Sequence, residues 1–346
     1  MKTTVNWGII GLGNAAKNFA NAFNFTKNSK LLAVSSRVQK KIDEFKNSFN
    51  LRNEYCFENY NDLLNCTDVD IIYIALPNSF HYEWIIKCIN KGKNILVEKP
   101  STINFSQIQK VENLLKDKNI FFSEGLMYRY HPQISKVIEL LRNNIIGNLI
   151  SMESFFGHKI FKNKKIFGIE IGKIKKDNRL YNKELGGGAI LDLGSYPVSM
   201  GILIASLNSK ISVKDTKVCK IKNINSSTEV DIDSFAEINF NNNFKCSVGA
   251  SFIQDIGKKT KIIGTKGEII LEDSWTPKNF SKIKINGIKN ETIKIKCASD
   301  IYFDQINSIS NSILKNENKP NFPGMTLTES VENMKILDKW RDGRVV

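Results

Sequence analysis

The sequence predicts two kinds of structure in succession: an α/β region with a doubly wound parallel sheet, then an α+β region built on a large, mostly antiparallel sheet. Apolar runs alternate with helical patterns up to about residue 125, which is typical of a parallel sheet covered by helices. Beyond that point apolar residues recur with a period of two, which is typical of antiparallel strands. We therefore expect two domains, over residues 1–125 and 126–346.

Strands and helices follow one another in the first region. The first apolar run begins at Val5 and ends in glycines, and a helix-like pattern follows it. Further strands are predicted at Leu31–Val34, Tyr55–Phe57, Asp70–Leu76, Asn94–Val97 and Ile120–Phe122. The run at 70–76 is apolar nearly throughout, as expected for a strand that is buried on both faces.

The glycines after the first strand fill a G-x-G-x-x-G/A frame with Gly11, Gly13 and Ala16. In this frame the first glycine permits the turn, the second lets the backbone approach a pyrophosphate, and the third small residue packs the helix on the strand. The helix start, with Asn14 and Ala15, then presents N–H groups to the phosphates. The position predicts a dinucleotide site; the alternative is a plain tight turn.

The end of the second strand bears on the choice of cofactor. An NAD site places an acidic residue about 20 residues after the glycines, where it binds the ribose 2′-hydroxyl. This chain has Ser36 and Arg37 there instead. A hydroxyl and a planar cation suit a 2′-phosphate, which favours NADP over NAD. The alternative is a solvated arginine.

Two later strand ends add candidate residues at the same edge of the sheet. Leu76, Pro77 and Asn78 leave the fourth strand, and His81 lies just inside the next helix. The histidine could contact the cofactor or simply pack. The fifth strand ends in Glu98 and Lys99, and a lysine at this edge is either a solvated charge or a catalytic cation.

Composition excludes several classes of function. The net charge is +15, but no arginine-rich helix or aromatic-interleaved basic stripe is present, so we expect no nucleic-acid partner. Six cysteines form no C-x-x-C pair and three histidines lie far apart, so we expect no metal site. The longest apolar run, Val198–Leu207, is too short to span a bilayer, and no signal peptide is evident. We therefore expect a cytoplasmic protein without a membrane partner.

The second region opens with a predicted helix over His131–Arg142 and a strand over Leu149–Phe156. A long basic stretch of little periodicity follows at 157–185. Later strands are predicted around Ala236–Phe240, Phe244–Phe252, Lys261–Ile263, Glu268–Glu272, Ile283–Ile285 and Thr292–Ile295. One face of this sheet should pack on helices, and the other must be solvated or covered by a second subunit. We expect a homodimer or homotetramer formed through this sheet.

The stretch 186–197 contains the main candidates for catalytic residues in the second region. Asp192 and Tyr196 are four residues apart and share a face if the segment is helical. Pro197 removes a backbone donor, so the helix is expected to kink or restart there. Taken alone, the pattern also fits a buried tyrosine bonded to a nearby carboxylate.

Several motifs together resemble those of the glucose–fructose oxidoreductase / inositol dehydrogenase / rhizopine catabolism (Gfo/Idh/MocA) family. The motifs are Gly11–Ala16, Ala75–Asn78 with His81, Glu98–Pro100, Glu124–Arg129 and the G-G-G-x-x-x-D-x-G-x-Y run from Gly186. The resemblance covers nearly the whole chain. It implies a Rossmann domain that binds NAD(P), followed by a substrate domain.

The resemblance also implies an activity, namely hydride transfer between a nicotinamide cofactor and a sugar or polyol, free, phosphorylated or nucleotide-linked. Tyr196 stands where many members of the family carry His. A tyrosine at this position resembles the branch that contains sugar dehydrogenases and dihydrodiol dehydrogenases. Lys99, Asp192 and Tyr196 are the implied catalytic residues. Arg129 and Arg179 are the implied substrate-side residues, although Asn178 replaces the usual tryptophan before Arg179.

The chemistry expected of these residues is proton transfer beside the nicotinamide ring. A free tyrosine has a pKa of about 10, and a neighbouring ammonium group favours the phenolate. We therefore expect residues 99, 192 and 196 to converge on one ring. Two alternatives remain at this stage: a redox-neutral epimerase or glycosidase that retains its cofactor, and a non-catalytic dinucleotide sensor.

Overall fold

The computed structural model describes residues 2–160, 164–166, 169–171, 178–241, 244–277, 280–288, 290–296 and 300–343. The strands are β1 (Val5–Ile10), β2 (Ser29–Ser35), β3 (Cys56–Phe57), β4 (Ile71–Ile74), β5 (Asn94–Glu98), β6 (Phe122–Gly125), β7 (Leu149–Gly157), β8 (Lys164–Ile166), β9 (Ile169–Ile171), β10 (Thr216–Asn225), β11 (Asp231–Phe240), β12 (Phe244–Ser251), β13 (Thr260–Gly264), β14 (Gly267–Leu271), β15 (Phe280–Gly287) and β16 (Glu291–Lys296). The α-helices are α1 (Asn14–Asn21), α2 (Gln39–Phe49), α3 (Tyr60–Asn65), α4 (Asn78–Asn90), α5 (Phe105–Leu115), α6 (Pro132–Arg142), α7 (Ser195–Ser206), α8 (Ile301–Leu314) and α9 (Leu327–Asp342).

The chain forms two compact units. The first contains Met1–His131 and Cys297–Val331, and the second contains Pro132–Lys296 and Glu332–Val346. The first unit is built on a parallel sheet with the strand order β3-β2-β1-β4-β5-β6. This is the order of a Rossmann dinucleotide-binding fold, and it confirms the doubly wound sheet predicted from the sequence.

The predicted strands of the first unit all occur, although several of their ends differ from the prediction, and two further differences are informative. Helix α3 was not predicted, because six residues are too few to show a helical period. The last strand begins at Phe122 and not at Ile120, because its register pairs Val97 with Glu124 and Glu98 with Gly125. The shift brings Glu124 and Gly125 to the carboxyl end of the sheet.

The first unit takes in a segment from much later in the chain. Ile306 and Ile309 of α8 are fully buried in the same core as Trp7 and Phe19. The indole Nε1 of Trp7 donates a hydrogen bond of 3.0 Å to Ser310 Oγ. The grouping therefore differs from a single division at residue 125, because α8 completes the core beneath β1.

The second unit is built on a sheet with the strand order β10-β11-β12-β7-β13-β14-β15-β16. The pairing of β12 with β7 is parallel, and the other pairings in this sheet are antiparallel. This confirms the predicted α+β region. Within the long basic stretch, β8 and β9 form a small antiparallel hairpin, and residues 161–163, 167–168 and 172–177 lie outside the described part of the chain.

One face of the large sheet packs on α7, and each residue from Ser195 to Ala205 in this helix is buried. A helix that is apolar all around must be enclosed, and here a Cβ at Gly201 would contact Cys246 and Phe240 of the sheet. The opposite face carries Phe155 of β7 and Phe235 of β11, whose rings lie on either side of Gly249 in the intervening strand β12, with centroids 6.4 Å apart. Among the described helices, none has the length and apolar character needed to cross a membrane.

Candidate active site

The glycine loop after β1 has the shape that a pyrophosphate site needs. Gly11 has a φ of +89°, and a Cβ there would lie 2.7 Å from the carbonyl oxygen of Ala75, so the turn requires glycine. A Cβ at Gly13 would meet nothing within 4 Å. No packing requirement therefore explains the second glycine, whereas the approach of a ligand to the backbone does.

The start of α1 is open to an anion. Gly13 is the N-terminal cap, no side chain caps the helix, and its first turn, which begins with Asn14 and Ala15, contains no acidic residue. Ala16 is fully buried, which lets the helix pack on the sheet. The first N–H groups of the helix thus remain available for phosphate oxygens.

The two residues at the end of β2 that are expected to select between NAD and NADP differ in their burial. Ser36 is buried, and its Oγ accepts a hydrogen bond of 3.2 Å from the backbone N–H of Val38. Arg37 is exposed and, among the described residues, forms no ion pair. The guanidinium is thus available to a 2′-phosphate, whereas Ser36 shapes the turn that presents it.

His81, for which a cofactor contact and simple packing were both expected as possibilities, lies within the packed interior of the first unit. The side chain is fully buried. Its Nε2 lies 2.8 Å from the carbonyl oxygen of Leu76, and its Nδ1 lies 2.8 Å from that of Pro100. Both ring nitrogens thus contact the protein backbone. The histidine connects the turn after β5 to the loop after β4, in which Pro77 directly precedes the buried Asn78 at the start of α4.

Glu98 and Lys99 occupy the carboxyl end of β5. Tyr73 donates a hydrogen bond to Glu98 Oε1, and the backbone N–H of Lys99 donates one of 3.3 Å to Glu98 Oε2. The glutamate is therefore engaged by neighbouring groups of the sheet edge. Lys99 is partly exposed at the point where the chain leaves the strand.

Glu124 also lies in this region, although the sequence did not predict it as a site residue. The carboxyl is 1% exposed, and its Oε1 accepts a hydrogen bond of 3.2 Å from the backbone N–H of Ser101. Burial raises the pKa of Glu124, while Ser330, Ser101 and Arg129 act in the opposite direction. The sequence feature that could have identified Glu124 is the motif Glu124–Arg129, which is one of the motifs shared with the Gfo/Idh/MocA family.

The raised pKa of Glu124 predicts a pH-dependent effect of Glu124→Gln on stability. A carboxyl whose folded pKa lies above its unfolded value contributes stability that is present at low pH and is lost as pH rises through the folded pKa. The free energy of unfolding of the variant minus that of the wild type should therefore increase with pH from about 4.3 upward, by at most about 1.4 kcal/mol per pH unit. Urea unfolding at a series of pH values measures this difference.

A matched control is Glu229→Gln. Glu229 is exposed, and its hydrogen bond with Lys183 lowers its pKa, so the corresponding difference should have the opposite sign and be small. A flat or falling difference for Glu124→Gln would contradict the assigned environment of Glu124.

Arg129 is not available to a substrate, and the expectation that it binds one is corrected here. The side chain is fully buried, and its guanidinium donates to Glu329 Oε1 at 2.8 Å and to the carbonyl oxygen of Pro323 at 3.3 Å. Burial alone would raise the pKa of Glu329, but Arg129 and Thr326 outweigh it, so the pKa lies below its usual value. Arg129 thus holds the start of α9 in place within the first unit.

In the second unit, the triple glycine holds a short 3-10 helix, Arg179–Tyr181, close to the main chain that leads into α7. The backbone N–H of Gly188 donates to the carbonyl oxygen of Leu180 at 2.9 Å. A Cβ at Gly187 would lie 2.6 Å from that same oxygen, so the close approach needs glycine. The glycines thus place Arg179 beside the start of the functional segment.

A π-helical turn, Ile190–Gly194, precedes α7 and carries Asp192. Asp231 supports the start of this turn, because its Oδ2 accepts a hydrogen bond of 2.6 Å from the backbone N–H of Ile190. Burial raises the pKa of Asp231, and the backbone donors of Ile190 and Ala189 oppose this. Turns of this type are frequent at functional sites. The backbone remains right-handed helical from Ala189 through Gly194 into α7, so the helix does not restart at Pro197, and the π-helical turn just before this proline is the irregularity in the helix.

Asp192 and Arg179 form an ion pair. Both terminal nitrogens of the guanidinium lie 3.3 Å from Asp192 Oδ1. The carboxylate side chain is 12% exposed, whereas that of Arg179 is 50% exposed. The arginine therefore orients the carboxylate and still presents part of its guanidinium to solvent, as a substrate-side residue should.

Tyr196 is held in an aromatic cluster. Its ring packs edge-on against Phe156, with centroids 5.2 Å apart, and tilted against Trp275 at 5.7 Å. The residue is 6% exposed, and Trp275 is fixed by a hydrogen bond of 2.9 Å from its Nε1 to the carbonyl oxygen of Phe155. Such packing fixes the direction of the phenol. The two aromatic neighbours were not identified from the sequence.

The expected site residues thus fall into two groups, each described within its own unit. The first unit contains the glycine loop, Arg37, the end of β4 and Lys99; the second contains Arg179, Asp192 and Tyr196. Within the described ranges, no cluster of three or more His, Cys, Asp or Glu side chains could hold a metal ion.

Comparison with known families gives two matches that follow one another along the chain. Residues 5–126 match the model described as the oxidoreductase family with an NAD-binding Rossmann fold, Gfo/Idh/MocA. Residues 134–270 match the Gfo/Idh/MocA C-terminal domain. The two matches correspond to the main body of each sheet.

Individual relatives give the same result. A trans-1,2-dihydrobenzene-1,2-diol dehydrogenase from Xenopus tropicalis is 28% identical over 81% of this chain and 78% of its own length. A D-xylose 1-dehydrogenase (NADP(+)) from Hypocrea jecorina is 25% identical over 82% of this chain and 76% of its own length. The crystal structure of a 3-ketoreductase from Actinomadura kijaniata, with NADP and TDP-benzene, superimposes with a TM-score of 0.82 over 98% of each chain at 22% identity.

Proposed function

Because the chain belongs to the Gfo/Idh/MocA oxidoreductase family, we propose that it transfers a hydride between NADP and a carbon–oxygen group of a sugar or polyol. The observation that carries this proposal is the pairing of Asp192 with Arg179 next to a packed Tyr196, in a chain whose other unit has an open glycine loop. The names of the relatives support a carbohydrate or diol substrate, since they include a xylose dehydrogenase and a dihydrodiol dehydrogenase.

The residues of the first unit fit a dinucleotide. Gly13 leaves space for a pyrophosphate, the uncapped start of α1 supplies N–H donors, and Arg37 supplies a cation at the end of β2 without a neighbouring carboxylate. When bound, the nicotinamide ring supplies the capacity to accept or donate two electrons together with one hydrogen. The protein supplies placement and the movement of the accompanying proton.

We assign proton transfer in this reaction to the second unit together with Lys99. The phenol oxygen of Tyr196 takes the proton of the reacting hydroxyl group during oxidation, or returns it during reduction. Lys99, directly after β5 in the first unit, is the cation that we assign to the same reaction. Asp192, oriented by Arg179, accepts a hydrogen bond from a substrate hydroxyl group. A substrate that carries phosphate would be recognised by the exposed part of Arg179.

A screen of absorbance at the reduced-nicotinamide band tests the proposal. NAD⁺ and NADP⁺ are offered separately with free aldoses, polyols, dihydrodiols, sugar phosphates and nucleotide sugars, and the reverse direction is run with ketosugars. The expected result is turnover with NADP⁺ and at least one of these classes, and its loss in Lys99→Met. Absence of turnover in both directions, from protein that binds NADPH, would contradict the proposed reaction.

Arg37 provides a prediction about cofactor choice. Arg37→Ala should raise the KM for NADPH about tenfold or more, because a charge-assisted hydrogen bond to the 2′-phosphate is lost. The KM for NADH, which lacks that phosphate, should change by less than about twofold. Steady-state kinetics with both cofactors checks this. Lys30→Ala removes an exposed cation elsewhere on β2 and should leave both values unchanged.

We also propose that the protein works as a homo-oligomer in the cytoplasm, without nucleic acid or membrane as a partner. The aromatic pair of Phe155 and Phe235 on the outer face of the sheet supports self-association through that face, and Phe235→Asp should yield a smaller species in light scattering coupled to gel filtration. The cysteines among the described residues form no disulfide, which is typical of a reducing compartment.

A further inference from the structure

We infer that His81 and Glu124 form a clamp that positions Lys99 by holding the two backbone groups that follow it. His81 contacts the carbonyl oxygen of Pro100, and Glu124 accepts a hydrogen bond from the N–H of Ser101. The inference rests on the proposed function only in taking Lys99 as the catalytic cation. The two side chains are positioning residues, because they act on the reaction through the backbone beside Lys99.

The clamp is built from two different elements of the first unit. His81 comes from the second turn of α4, and its other nitrogen contacts the carbonyl oxygen of Leu76, so the ring also fixes the loop after β4. Glu124 comes from β6, which neighbours β5 in the sheet. Motion of the turn is thus restrained by two elements that the sheet itself holds in place.

Burial makes both contacts hard to replace. His81 and Ser101 are fully buried and Glu124 is 1% exposed, so water cannot substitute for a lost partner. The following Thr102 is also fully buried. Lys99 is partly exposed and directly precedes the two buried backbone groups. The clamp therefore restrains the backbone from which the side chain of Lys99 extends.

The clamp is not explained by core packing alone. A titratable group costs free energy when it is buried, and an apolar residue would fill the same space without that cost. Here two titratable side chains, His81 and Glu124, come from α4 and β6 and contact the consecutive residues 100 and 101. The shared target is the turn that ends in a proposed catalytic residue, which accounts for the position of both groups.

Hydrogen–deuterium exchange of the cofactor-free protein tests the clamp directly. Glu124→Met removes the acceptor with little change of shape, and Glu124→Gln keeps an oxygen that can accept from Ser101. In Glu124→Met the amides of Ser101 and Thr102 should exchange about ten to a hundred times faster, as expected when a buried N–H loses its hydrogen-bond acceptor. Glu124→Gln should exchange nearly as the wild type does. His81→Phe should also accelerate exchange at these amides.

Kinetics on the same proteins tests the consequence for Lys99. Glu124→Met and His81→Phe should lower kcat at least about tenfold, with the KM for NADPH changed by less than about threefold, and Glu124→Gln should restore kcat. Lys99→Met should lower kcat without altering the exchange of Ser101. Unchanged exchange in Glu124→Met, or accelerated exchange with unchanged kcat, overturns the inference.

The outcomes for the clamp and for the proposed function remain distinct. If the wild type turns over no substrate, the proposed reaction fails, and the exchange rates together with the chemical reactivity of Lys99 toward an acylating reagent still decide the clamp. Reactivity of Lys99 that is the same in the wild type and in Glu124→Met would then overturn it. If His81→Phe fails to fold, the Glu124 pair of variants carries the test.

Discussion

Tyr196→Phe is expected to lower kcat by about a hundredfold to ten-thousandfold, the usual contribution of a positioned acid–base group. The variant removes one oxygen atom and keeps the ring that packs on Phe156 and Trp275. The thermal midpoint should therefore stay close to that of the wild type, and the affinity for NADPH should not change. Steady-state kinetics on the substrate identified by the screen, with calorimetry and fluorescence titration of NADPH, measures the three quantities.

Tyr181→Phe is the matched control for this variant. Tyr181 is equally buried in the same unit, its ring packs on Phe252 with centroids 5.7 Å apart, and burial raises its pKa to about 12. It has no assigned role in proton transfer, so its kcat should change by less than about twofold. Equal losses in the two variants would mean that the phenol of Tyr196 acts through packing and not through its proton.

Arg129→Met is expected to cost about 3–5 kcal/mol in the free energy of unfolding, the range for a buried charge that loses its partner. The methionine fills much of the space, but Glu329 keeps its charge and, among the described residues, retains the N–H and hydroxyl donors of Thr326 in place of the lost guanidinium. Urea unfolding measures the loss. The double variant Arg129→Met, Glu329→Gln should recover part of it, because the unpaired charge is then also removed.

The surface pair of Arg52 and Glu54 provides the control for Arg129. Its atoms lie 3.0 Å apart and both side chains are more than half exposed, so Arg52→Met should change stability by less than about 1 kcal/mol. A stable Arg129→Met protein whose KM for substrate rises strongly would contradict the structural role assigned to Arg129 and would restore the substrate role expected from the sequence.

The architecture of both units could be predicted because their strands carry strong periodic signals. Buried parallel strands such as β4 are apolar throughout, and the antiparallel strands alternate, so the change of sheet type near residue 125 is visible in the sequence. The assignment of α8 to the first unit could not be predicted. Its apolar stripe shows that it packs on something, but no local pattern specifies the partner, and Trp7 and Ser310 are 303 positions apart.

Site residues could be predicted from the sequence where the residue type itself indicates a single structural or binding role. Gly11 needs its positive φ, and the absence of an acid near Arg37 is visible directly. In contrast, the sequence cannot distinguish a buried arginine from an exposed one. Arg129 and Arg179 looked alike, yet the first is fully buried against Glu329 and the second is half exposed beside Asp192. Likewise, His81 and Asp231 have partners distant in sequence that only the folded chain brings to them.

The position of α8 near the end of the sequence has a consequence for folding during translation. The indole of Trp7 leaves the ribosome early, but the serine that receives its hydrogen bond is translated 303 residues later. At about 5–20 residues per second, that interval lasts roughly 15 to 60 s. During this time the nascent first unit exposes an apolar surface at β1 that its own sequence cannot yet cover, so ribosome-bound chains that stop before residue 300 should bind holdase chaperones, and chains that extend past α8 should release them.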